Sequence, residues 1–591
     1  MFTQADGVCL TLAVGGILLM GAACTPDQAD HFTPVTDATL QNPAPEDWLS
    51  WRRTLDSWGY SPLDQIDRDN IGQIVEVWSR PMSDAGPNQA TPLVYDGIMY
   101  LVNPGDIVQA LDATNGELIW EFRWDIPEDL ADYTDWGLRQ RNIAIYGDKI
   151  FHTTAAGYLL ALDARTGELV WSTRTFDYTD YMDHTAGPIV ARGIVVSGEH
   201  CRPFSPLPGG CSVRAHDAET GEELWRRYVP ARPDEPGGDT WGGLPLERRT
   251  HSSTWMPGSY DPELDLIYWG TAVPSPSPEV LRGSGDADLL YTNSTLALDP
   301  DTGEIVWYFQ HLPRDNWDLD HPFERLLVDV VVAPDPEEVR WINPNITPGE
   351  ERRVVTGIPG KTGIVWTLDR ETGEFLWARE TVFQNVISEI DPRTGRPTIN
   401  EEAIPTEVGD PVLACPNTSG GKLWAAGAYS PLTDVMYMPL DNTCFDIAPA
   451  VEEWAVEDGY AIRTSSFIPE SADGNLGTIV AISASTGRTV WQYDQRASVN
   501  RSPMLATGGH LLFGGDQNRR FRAFDQETGE ILWEIVHESP ASGFPITYAV
   551  NGRQYLAVVI GGGTGSMMLT PELDDASGNN AILVYALPDS D

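Results

Sequence analysis

Positively charged residues are scarce in this chain of 591 residues. It has 38 lysines and arginines against 87 aspartates and glutamates, which gives a formal net charge of −49 at pH 7. Such a protein repels nucleic acid and anionic lipid surfaces, so the composition argues against both as partners. It permits a basic protein partner. A solvated acidic surface suited to a salty habitat explains the same charge equally well.

Hydrophobic runs are short. The apolar stretch at Val8–Ala23 has 16 residues, too few to cross a bilayer comfortably. Small residues and a polar stretch follow it, which is the shape of a bacterial export signal. We therefore expect residues 1–23 to be an export signal, residues 24–44 a flexible segment, and the protein to be periplasmic. The letters MGAAC resemble a lipoprotein cleavage box with Cys24 as the lipid acceptor; simple secretory cleavage and a mis-assigned start codon are the alternatives.

Cysteine is rare as well, and several common cofactor motifs are missing. The chain has six cysteines; setting aside Cys9 and Cys24 leaves four. An even number in an exported chain suggests two disulfides, most simply Cys201–Cys211 and Cys415–Cys444, and the spacings do not form a metal-thiolate motif. No CxxCH occurs, which excludes a c-type haem attached to this chain. P-loop, strand–GxGxxG–helix, HExxH and G-x-S-x-G patterns are also absent.

What the chain does contain is a repeat. Seven times an 11-residue phrase returns, with a small residue first, usually Asp third, Gly seventh and Trp last; the copies are Ala110–Trp120, Ala161–Trp171, Ala215–Trp225, Ala297–Trp307, Thr367–Trp377, Ala481–Trp491 and Ala523–Trp533. Each copy predicts a strand end, a tight turn in which Asp bonds its own backbone and Gly supplies a positive φ, and a second strand that places Trp at a fixed distance from the small residue. Repetition on this scale indicates stacked sheets that cover one another's faces.

The repeat predicts an all-β fold, a β-propeller over residues 45–591. An eighth unit is assembled from the two ends of the chain: Ile71–Trp78 has the strand and the Trp without the turn, and Ala581–Leu587 is a last strand without a partner of its own. Pairing of these N- and C-terminal strands would close an eight-bladed ring and leave no open sheet edge. Seven blades is the alternative. The phrases are unevenly spaced, so some blades carry long insertions, where functional residues usually sit.

Three insertions carry candidate functional groups. Asp315–Arg325 places carboxylates at Asp318 and Asp320, which point the same way in an extended segment and could hold a hard cation or supply a base. Lys361 lies on a Gly-flanked turn, where its positive charge could stabilise a developing oxyanion. Trp255 lies outside the repeat phrase, and its ring could stack against a planar ligand. A solvated acidic loop, a surface lysine and a core tryptophan are the respective alternatives.

Together these segments resemble the quinoprotein alcohol dehydrogenases, the methanol/ethanol dehydrogenase family that depends on pyrroloquinoline quinone (PQQ). The resemblance covers nearly everything after the signal, and it is carried by the seven phrases together with Asp47–Trp78, Ser259–Ala272, Asn316–Asp320, Thr362–Arg370 and Gly543–Gly563. It implies an enzyme that oxidises an alcohol to an aldehyde or ketone. With no haem on the chain, it also implies a separate electron acceptor, such as a soluble cytochrome c.

The resemblance assigns roles to individual residues. Asp318 matches the catalytic base and Lys361 the cation near the quinone oxygens. Trp255 matches the Trp on which PQQ lies, and Arg141 and Thr185 match positions that bond the cofactor's polar rim. The metal, Ca²⁺ or a lanthanide, would be held by Asp318 and Asp320; Asp320 matches the extra carboxylate of the lanthanide-using branch.

Three departures from the family pattern concern the metal and its surroundings. Val273 and Leu423 stand where the family has Asn, and the metal-binding Glu has no clear counterpart; Glu199 is a candidate substitute. Fewer protein ligands would then hold the metal, with PQQ atoms supplying the rest. A non-catalytic propeller lipoprotein of the outer-membrane assembly type is the rival function, and a degenerate quinoprotein that binds without turnover is a third.

Overall fold

The computed structural model describes residues 32–134, 138–202, 205, 207–453, 459–562, 569–573 and 578–589. Residues 1–31, and with them the predicted export signal and Cys24, lie outside the described residues. Within the described ranges the α-helices are Asp37–Gln41 and Glu279–Arg282, neither of which is long and apolar enough to cross a membrane. Short 3₁₀ turns lie at Ile71–Gln73, Leu130–Asp132, Tyr178–Asp180, Gly238–Trp241, Leu246–Arg248, Glu401–Ala403 and Glu470–Ala472.

The fold is all-β, as predicted. Among the described residues, eight sheets have four or five strands each, and we number them along the chain. Sheet 1 joins the two ends of the chain, because strand Val75–Pro81 pairs with Ala581–Ala586, which is followed in the sheet by Arg553–Ile560 and Ile546–Val550. Sheets 2, 3 and 4 contain Leu93–Tyr95, Ile98–Asn103, Ile107–Asp112 and Leu118–Arg123; Ala144–Tyr146, Lys149–Thr153, Tyr158–Asp163 and Leu169–Arg174; and Ile189–Ala191, Ile194–Gly198, Ser212–Asp217 and Glu223–Tyr228.

The remaining four sheets follow the same plan with two additions. Sheet 6 gains an outer strand, Trp341–Ile342, and sheet 8 gains Tyr60–Ser61, which pairs in parallel with Leu505–Thr507. Sheets 5 to 8 otherwise contain Ser259–Asp261, Leu266–Gly270, Ser294–Leu298 and Ile305–Gln310; Leu326–Val332, Glu350–Gly357, Ile364–Asp369 and Phe375–Glu380; Ala428–Ser430, Val435–Asp441, Gly477–Ser483 and Thr489–Gln495; and Leu505–Thr507, Leu511–Gly515, Arg520–Asp525 and Ile531–Val536.

Smaller sheets lie in the insertions. Met182–Asp183 pairs with His200–Cys201, Thr250–His251 with Pro274–Ser275, and Ile387–Ile390 with Pro397–Ile399. A three-stranded sheet joins Val412–Ala414, Cys444–Pro449 and Ile462–Phe467. The predicted disulfides, Cys201–Cys211 and Cys415–Cys444, are both present and each ties one of these insertions together.

Every repeat phrase forms two paired strands joined by a tight turn, as predicted, and these are the last two strands of its sheet in chain order. In sheet 2 the backbone carbonyl of Asp112 accepts from Gly116, whose φ is +75°, and its carboxylate accepts from Thr114 at 2.8 Å. The small residue and the Trp then face each other across the strand pair; the pairs are Ala110–Trp120, Ala161–Trp171, Ala215–Trp225, Ala297–Trp307, Thr367–Trp377, Ala481–Trp491 and Ala523–Trp533.

The tryptophans join neighbouring sheets. Nε1 of Trp225 donates to the carbonyl of Pro300 at 2.7 Å, and its indole covers Gly303, where a Cβ atom would lie 2.4 Å from the ring. The same contact links Trp78 to Gly116, Trp120 to Gly167, Trp171 to Gly221, Trp307 to Gly373 and Trp491 to Gly529. Glycine is required at these turns because both the positive φ and the covering ring exclude a side chain.

The described part of the segment 24–44 packs against the sheets. Val35 and Gly147 exchange backbone hydrogen bonds of 2.8 Å, and the helix Asp37–Gln41 buries Leu40. Phe32 packs edge-on against Tyr95 at 5.6 Å between ring centroids. Residues 32–44 therefore run along the outside of sheets 2 and 3, because three apolar side chains anchor them there.

Candidate active site

The six candidate site residues meet in one cavity. Its volume is about 630 Å³, and its described lining consists of Arg139, Arg141, Thr185, His200, His251, Trp255, Asp318, Asp320, Lys361, Thr418, Ser419, Leu423, Trp424, Tyr460, Ile462, Arg463, Thr464 and Arg501. A cavity of this size holds a drug-sized molecule. Asp318, Asp320 and Lys361 are buried, which contradicts a solvated acidic loop and a surface lysine. Trp255 packs against the core and also lines the cavity.

A turn built by Asp315 presents Asp318. The carboxylate of Asp315 accepts from the backbone N–H groups of Trp317, Asp318 and Leu319 at 2.7–3.0 Å. Asn293 donates to the same carboxylate at 2.7 Å. Asp318 itself has a φ of +63°, a conformation that is uncommon outside glycine and costs free energy unless its surroundings hold it. The hydrogen bonds to the buried Asp315 carboxylate stabilise this conformation.

Lys361 lies between the two carboxylates. Its Nζ atom is 3.1 Å from Oδ2 of Asp318 and 2.9 Å from Oδ2 of Asp320, and it also donates to the backbone carbonyl of Asp318 at 2.9 Å. All three side chains are buried. The other carboxylate oxygen of Asp318, Oδ1, is buried and makes no hydrogen bond among the described residues. A buried acceptor of this kind is ready for a donor or a cation.

Burial dominates the ionisation of this cluster. It raises the pKa of Asp318 well above the ordinary value; Lys361 opposes that shift, and the charges of Asp320 and Asp315 add to it. Burial alone would lower the pKa of Lys361, but the carboxylates of Asp318 and Asp320 raise it above its usual value. The result is a permanently charged lysine beside a carboxylate with a strengthened affinity for protons, which suits a general base.

Another part of the cavity lining is aromatic and cationic. Arg141 donates to the carbonyl and hydroxyl oxygens of Thr185 at 2.9 and 2.7 Å, and its guanidinium carbon lies 4.9 Å from the ring centroid of Trp255 and 5.6 Å from that of Trp424. Trp255 in turn packs edge-on against Phe323. Aromatic faces and fixed guanidinium groups together suit a planar anion.

The cavity is positively charged although the chain is strongly acidic. Five lining side chains among the described residues are cationic, against the two carboxylates Asp318 and Asp320; the cations are Arg139, Arg141, Lys361, Arg463 and Arg501. Burial, with Arg139 adding to it, lowers the pKa of Arg141 well below its usual value. Such a site favours an anionic ligand, because Arg139 and Arg141 are buried cations that a bound anion would compensate.

The positions that depart from the family pattern differ in where they lie relative to the cavity. Glu199 is not at the cavity: its carboxylate accepts from the backbone and hydroxyl of Ser212 at 2.9 Å and pairs with buried Arg214, so it is already neutralised. Leu423 does line the cavity. The backbone N–H of Val273 donates to Oδ1 of Asp320 at 3.3 Å, so the chain helps to orient this carboxylate without a side-chain ligand there.

Several lining residues were missed by sequence reasoning. Arg139 lies two residues before Arg141 and Trp424 directly follows Leu423, so closer attention to sequence neighbours would have found both. His200 and His251 carry no motif signal. Tyr460 and Arg463 come from the three-stranded insertion sheet and its approach, and only the long-range pairing of that sheet brings them to the cavity.

Comparison with known proteins accounts for this arrangement. Residues 48–383 and 495–556 match the family described as "PQQ: Glucose/ethanol/alcohol dehydrogenase, beta-propeller domain". The chain belongs to the PQQ-dependent alcohol dehydrogenase family. It is 32% identical to the dehydrogenase subunit of the quinone-dependent alcohol dehydrogenase of Komagataeibacter europaeus, across 95% of this chain and 78% of that protein.

Solved structures agree with the family assignment. Quinohemoprotein alcohol dehydrogenase ADHIIG of Pseudomonas putida superposes with a TM-score of 0.83 at 29% identity, covering 94% of this chain and 84% of that one. A europium-containing methanol dehydrogenase gives 0.82 at 25% identity, covering 93% and 99%. The fold is therefore the β-propeller of this family, and the cofactor is PQQ.

The cavity fits that cofactor. PQQ is a planar fused-ring tricarboxylate, and the two indole faces and the guanidinium groups of Arg139, Arg141 and Arg501 suit its rings and its carboxylates. The fit to a metal ion rests on fewer groups. Asp318 and Asp320 are hard oxygen ligands, but no group of three or more Asp, Glu, His or Cys side chains placed to hold an ion occurs among the described residues.

Proposed function

We propose that this protein is a periplasmic dehydrogenase that oxidises an alcohol to an aldehyde or ketone and passes the electrons to a separate carrier. The observation that carries the proposal is the buried Asp318 carboxylate, with its raised pKa and unpaired Oδ1, in the cavity that also holds Trp255 and Arg141. A quinone cofactor, when bound, supplies the acceptor for the electrons and hydrogen lost from the carbinol carbon.

The protein's own residues have four tasks in this proposal. Asp318 takes the proton of the substrate hydroxyl, and burial strengthens its hold on that proton. Lys361 keeps Asp318 in place through hydrogen bonds to both its carbonyl and its carboxylate, and its charge stabilises negative charge that develops nearby. Trp255 supports the cofactor ring. Arg141 and Thr185 bind its polar rim.

A metal ion would be held by Asp318 and Asp320, with Ca²⁺ and a lanthanide as the candidates. Nζ of Lys361 lies within 3.1 Å of both carboxylates, so it already provides one positive charge at this place. The second carboxylate favours the more highly charged ion. We expect replacement of Asp320 by serine to remove activity with La³⁺ while Ca²⁺-dependent activity persists.

The electron acceptor would be a soluble cytochrome c. The protein carries a net charge of −49 at pH 7, so a basic carrier would be steered toward it. Steering of this kind weakens as salt is added. A fall in the association rate with rising ionic strength is therefore expected. Export directed by residues 1–23, with or without lipid attachment at Cys24, would place the enzyme beside such a carrier.

The proposed architecture is an eight-bladed ring closed through sheet 1. Three observations support it: the eight sheets of four or five strands in the described residues, the pairing of Val75–Pro81 with Ala581–Ala586, and the tryptophan contacts from each sheet to the next. Trp533 of sheet 8 packs edge-on against Tyr585 of sheet 1 at 5.9 Å between ring centroids, which would complete the circle.

A non-catalytic scaffold is not favoured, because the named relatives are alcohol dehydrogenases. Dye-linked oxidation of an alcohol panel tests the proposal, using purified protein reconstituted with PQQ in parallel with Ca²⁺, La³⁺ and chelator. Turnover with either metal is the expected result, together with its loss in Asp318→Ala. Full activity in Asp318→Ala would refute the mechanism. Absence of PQQ binding would refute the function.

A further inference from the structure

Two buried histidines line the cavity and have no task in the proposed mechanism. His200 and His251 are 6% and 1% exposed, and their rings lie perpendicular to each other with 6.1 Å between centroids. Both share the cavity with Asp318, Asp320 and Lys361. Neither position belongs to a motif of the chain.

His200 is held by an acidic partner. It pairs across a two-residue strand with Asp183, and its Nδ1 atom lies 3.1 Å from Oδ1 of that buried carboxylate. The carboxylate accepts, so Nδ1 donates. The next residue, Cys201, is tied to Cys211 by a disulfide, which fixes the segment that carries the histidine. Nε2 is then the ring nitrogen left to meet a bound molecule.

His251 is held in the same tautomer by a backbone carbonyl. Its Nδ1 atom is 2.6 Å from the carbonyl oxygen of Cys201, and since a carbonyl can only accept, Nδ1 carries the hydrogen and Nε2 is an acceptor. Burial, with His200 adding to it, lowers the pKa of His251 to about 4, so the ring is neutral at pH 7. His251 and Ser252 both have positive φ values, +66° and +62°. Strained residues of this kind cluster at functional sites.

Both rings line the cavity, where an Nε2 acceptor can take a hydrogen bond from a bound substrate. A second hydroxyl group on the substrate can donate to it. A methyl or methylene group at the same place leaves it unpaired and costs the free energy of its lost hydration. Sites built to bond a substrate hydroxyl therefore reject analogues that lack it far better than apolar pockets discriminate by size.

We propose that His200 and His251 select substrates with more than one hydroxyl group, namely diols and polyols, by accepting hydrogen bonds from the hydroxyls that are not oxidised. This inference rests on the proposed function, since it concerns the alcohol that Asp318 deprotonates. Both histidines are specificity-determining residues, and the oxidised hydroxyl remains with Asp318. Simple alkanols are poor substrates because they have no second hydroxyl group to donate to the histidines.

Steady-state kinetics on a three-carbon series test the proposal: 1-propanol, 1,2-propanediol, 1,3-propanediol and glycerol, with PQQ-loaded enzyme. The wild-type kcat/KM for the best diol or glycerol should exceed that for 1-propanol by at least about tenfold, the factor that the free energy of one hydrogen bond gives. His251→Leu and His200→Leu should each reduce this ratio by about tenfold, mainly through KM. His251→Gln and His200→Gln keep an acceptor atom at similar reach and should restore part of it.

His216→Leu is the matched control, since His216 is fully buried in sheet 4 but does not line the cavity. The control should keep the wild-type ratio. Equal kcat/KM for 1-propanol and every polyhydroxyl substrate in the wild type would overturn the inference, even if the leucine variants fail to fold. So would an unchanged ratio in the leucine variants. If the wild-type enzyme binds PQQ but turns over none of the four alcohols, the proposed alcohol oxidation itself is refuted.

Discussion

Lys361 holds Asp318 at two points, donating to its backbone carbonyl at 2.9 Å and to its carboxylate at 3.1 Å. The backbone contact fixes where the residue stands, and the carboxylate contact fixes how its side chain is turned. Only Oδ2 of the carboxylate is used in this way, because Oδ1 makes no hydrogen bond among the described residues. The lysine therefore orients the base and leaves one oxygen available for chemistry.

Removing the charge of Asp318 should abolish proton removal and keep the fold. We expect Asp318→Asn to lower kcat by about 100- to 10,000-fold, the usual contribution of a general base. Binding of PQQ should persist, since Trp255 and Arg141 are unchanged. Glu351→Gln, at an exposed carboxylate on strand Glu350–Gly357, should retain wild-type kcat. A kcat for Asp318→Asn within threefold of the wild type would contradict the role of this base.

Arg141 should be needed for its shape as well as its charge. Its Nη1 atom donates to both oxygens of Thr185 while the guanidinium lies over the ring of Trp255, and lysine has no planar group to place there. We expect Arg141→Lys to weaken PQQ binding by about 10- to 100-fold, the loss of one charge-assisted hydrogen bond. Titration of cofactor-free protein with PQQ, followed by tryptophan fluorescence, measures this. Arg226→Lys, where the guanidinium contacts Tyr228 on an outer strand, should bind PQQ like the wild type.

His216 should make the protein sensitive to mild acid. Burial lowers its pKa from 6.5 to about 4, Glu223 opposing and Arg214 adding to the shift. Between these two pH values the unfolded chain binds a proton that the folded chain does not, so stability falls as the pH falls from 6.5 toward 4, by at most about 1.4 kcal/mol per pH unit from this residue. His216→Leu should flatten that slope. Unfolding free energies from urea titrations at pH 4.5, 5.5, 6.5 and 7.5 check it, and equal slopes in the two proteins would disprove it.

The contacts between sheets should carry much of the stability. Trp225 is 8% exposed and covers Gly303, whereas the neighbouring Leu224 is 47% exposed. We expect Trp225→Ala to destabilise the protein by about 3–5 kcal/mol and Leu224→Ala by no more than about 0.5 kcal/mol. Thermal denaturation of the two variants compares them directly. A similar fall in Tm for both would mean that the indole does not join the sheets.

The repetitive part of the fold was predictable because its information is local. Each phrase specifies its own turn, and the Asp, the Gly and the Trp act within eleven residues, so the strand pairs could be inferred one at a time. The pairing of Val75–Pro81 with Ala581–Ala586 followed from an unpaired strand at each end. Asp318 and Lys361 could be singled out as polar groups in long insertions, whereas Arg141 was found only through the resemblance, since no periodicity marks it.

The rest of the cavity could not be inferred, because it depends on contacts between distant segments. His251 reaches the carbonyl of Cys201 across 50 positions of sequence, and Tyr460 contacts the same histidine ring from a different insertion. Glu199 illustrates the converse error. Its place in the sequence made it a candidate metal ligand, but Arg214 on the neighbouring strand neutralises it.

The sixth repeat phrase, Ala481–Trp491, has Ser483 where the others have Asp. Gly487 keeps its positive φ of +70° and still donates to the backbone carbonyl of residue 483. The missing carboxylate comes from Asp434 on the adjacent strand connection, which accepts from Ser485 at 3.1 Å and from the hydroxyl of Ser483 at 3.2 Å. The aspartate is thus interchangeable with a group from elsewhere, whereas the glycine and the tryptophan four residues later are not. A search for such units in other genomes should therefore weight the Gly–Trp spacing, since one that demands the aspartate would overlook a complete unit in the middle of the chain.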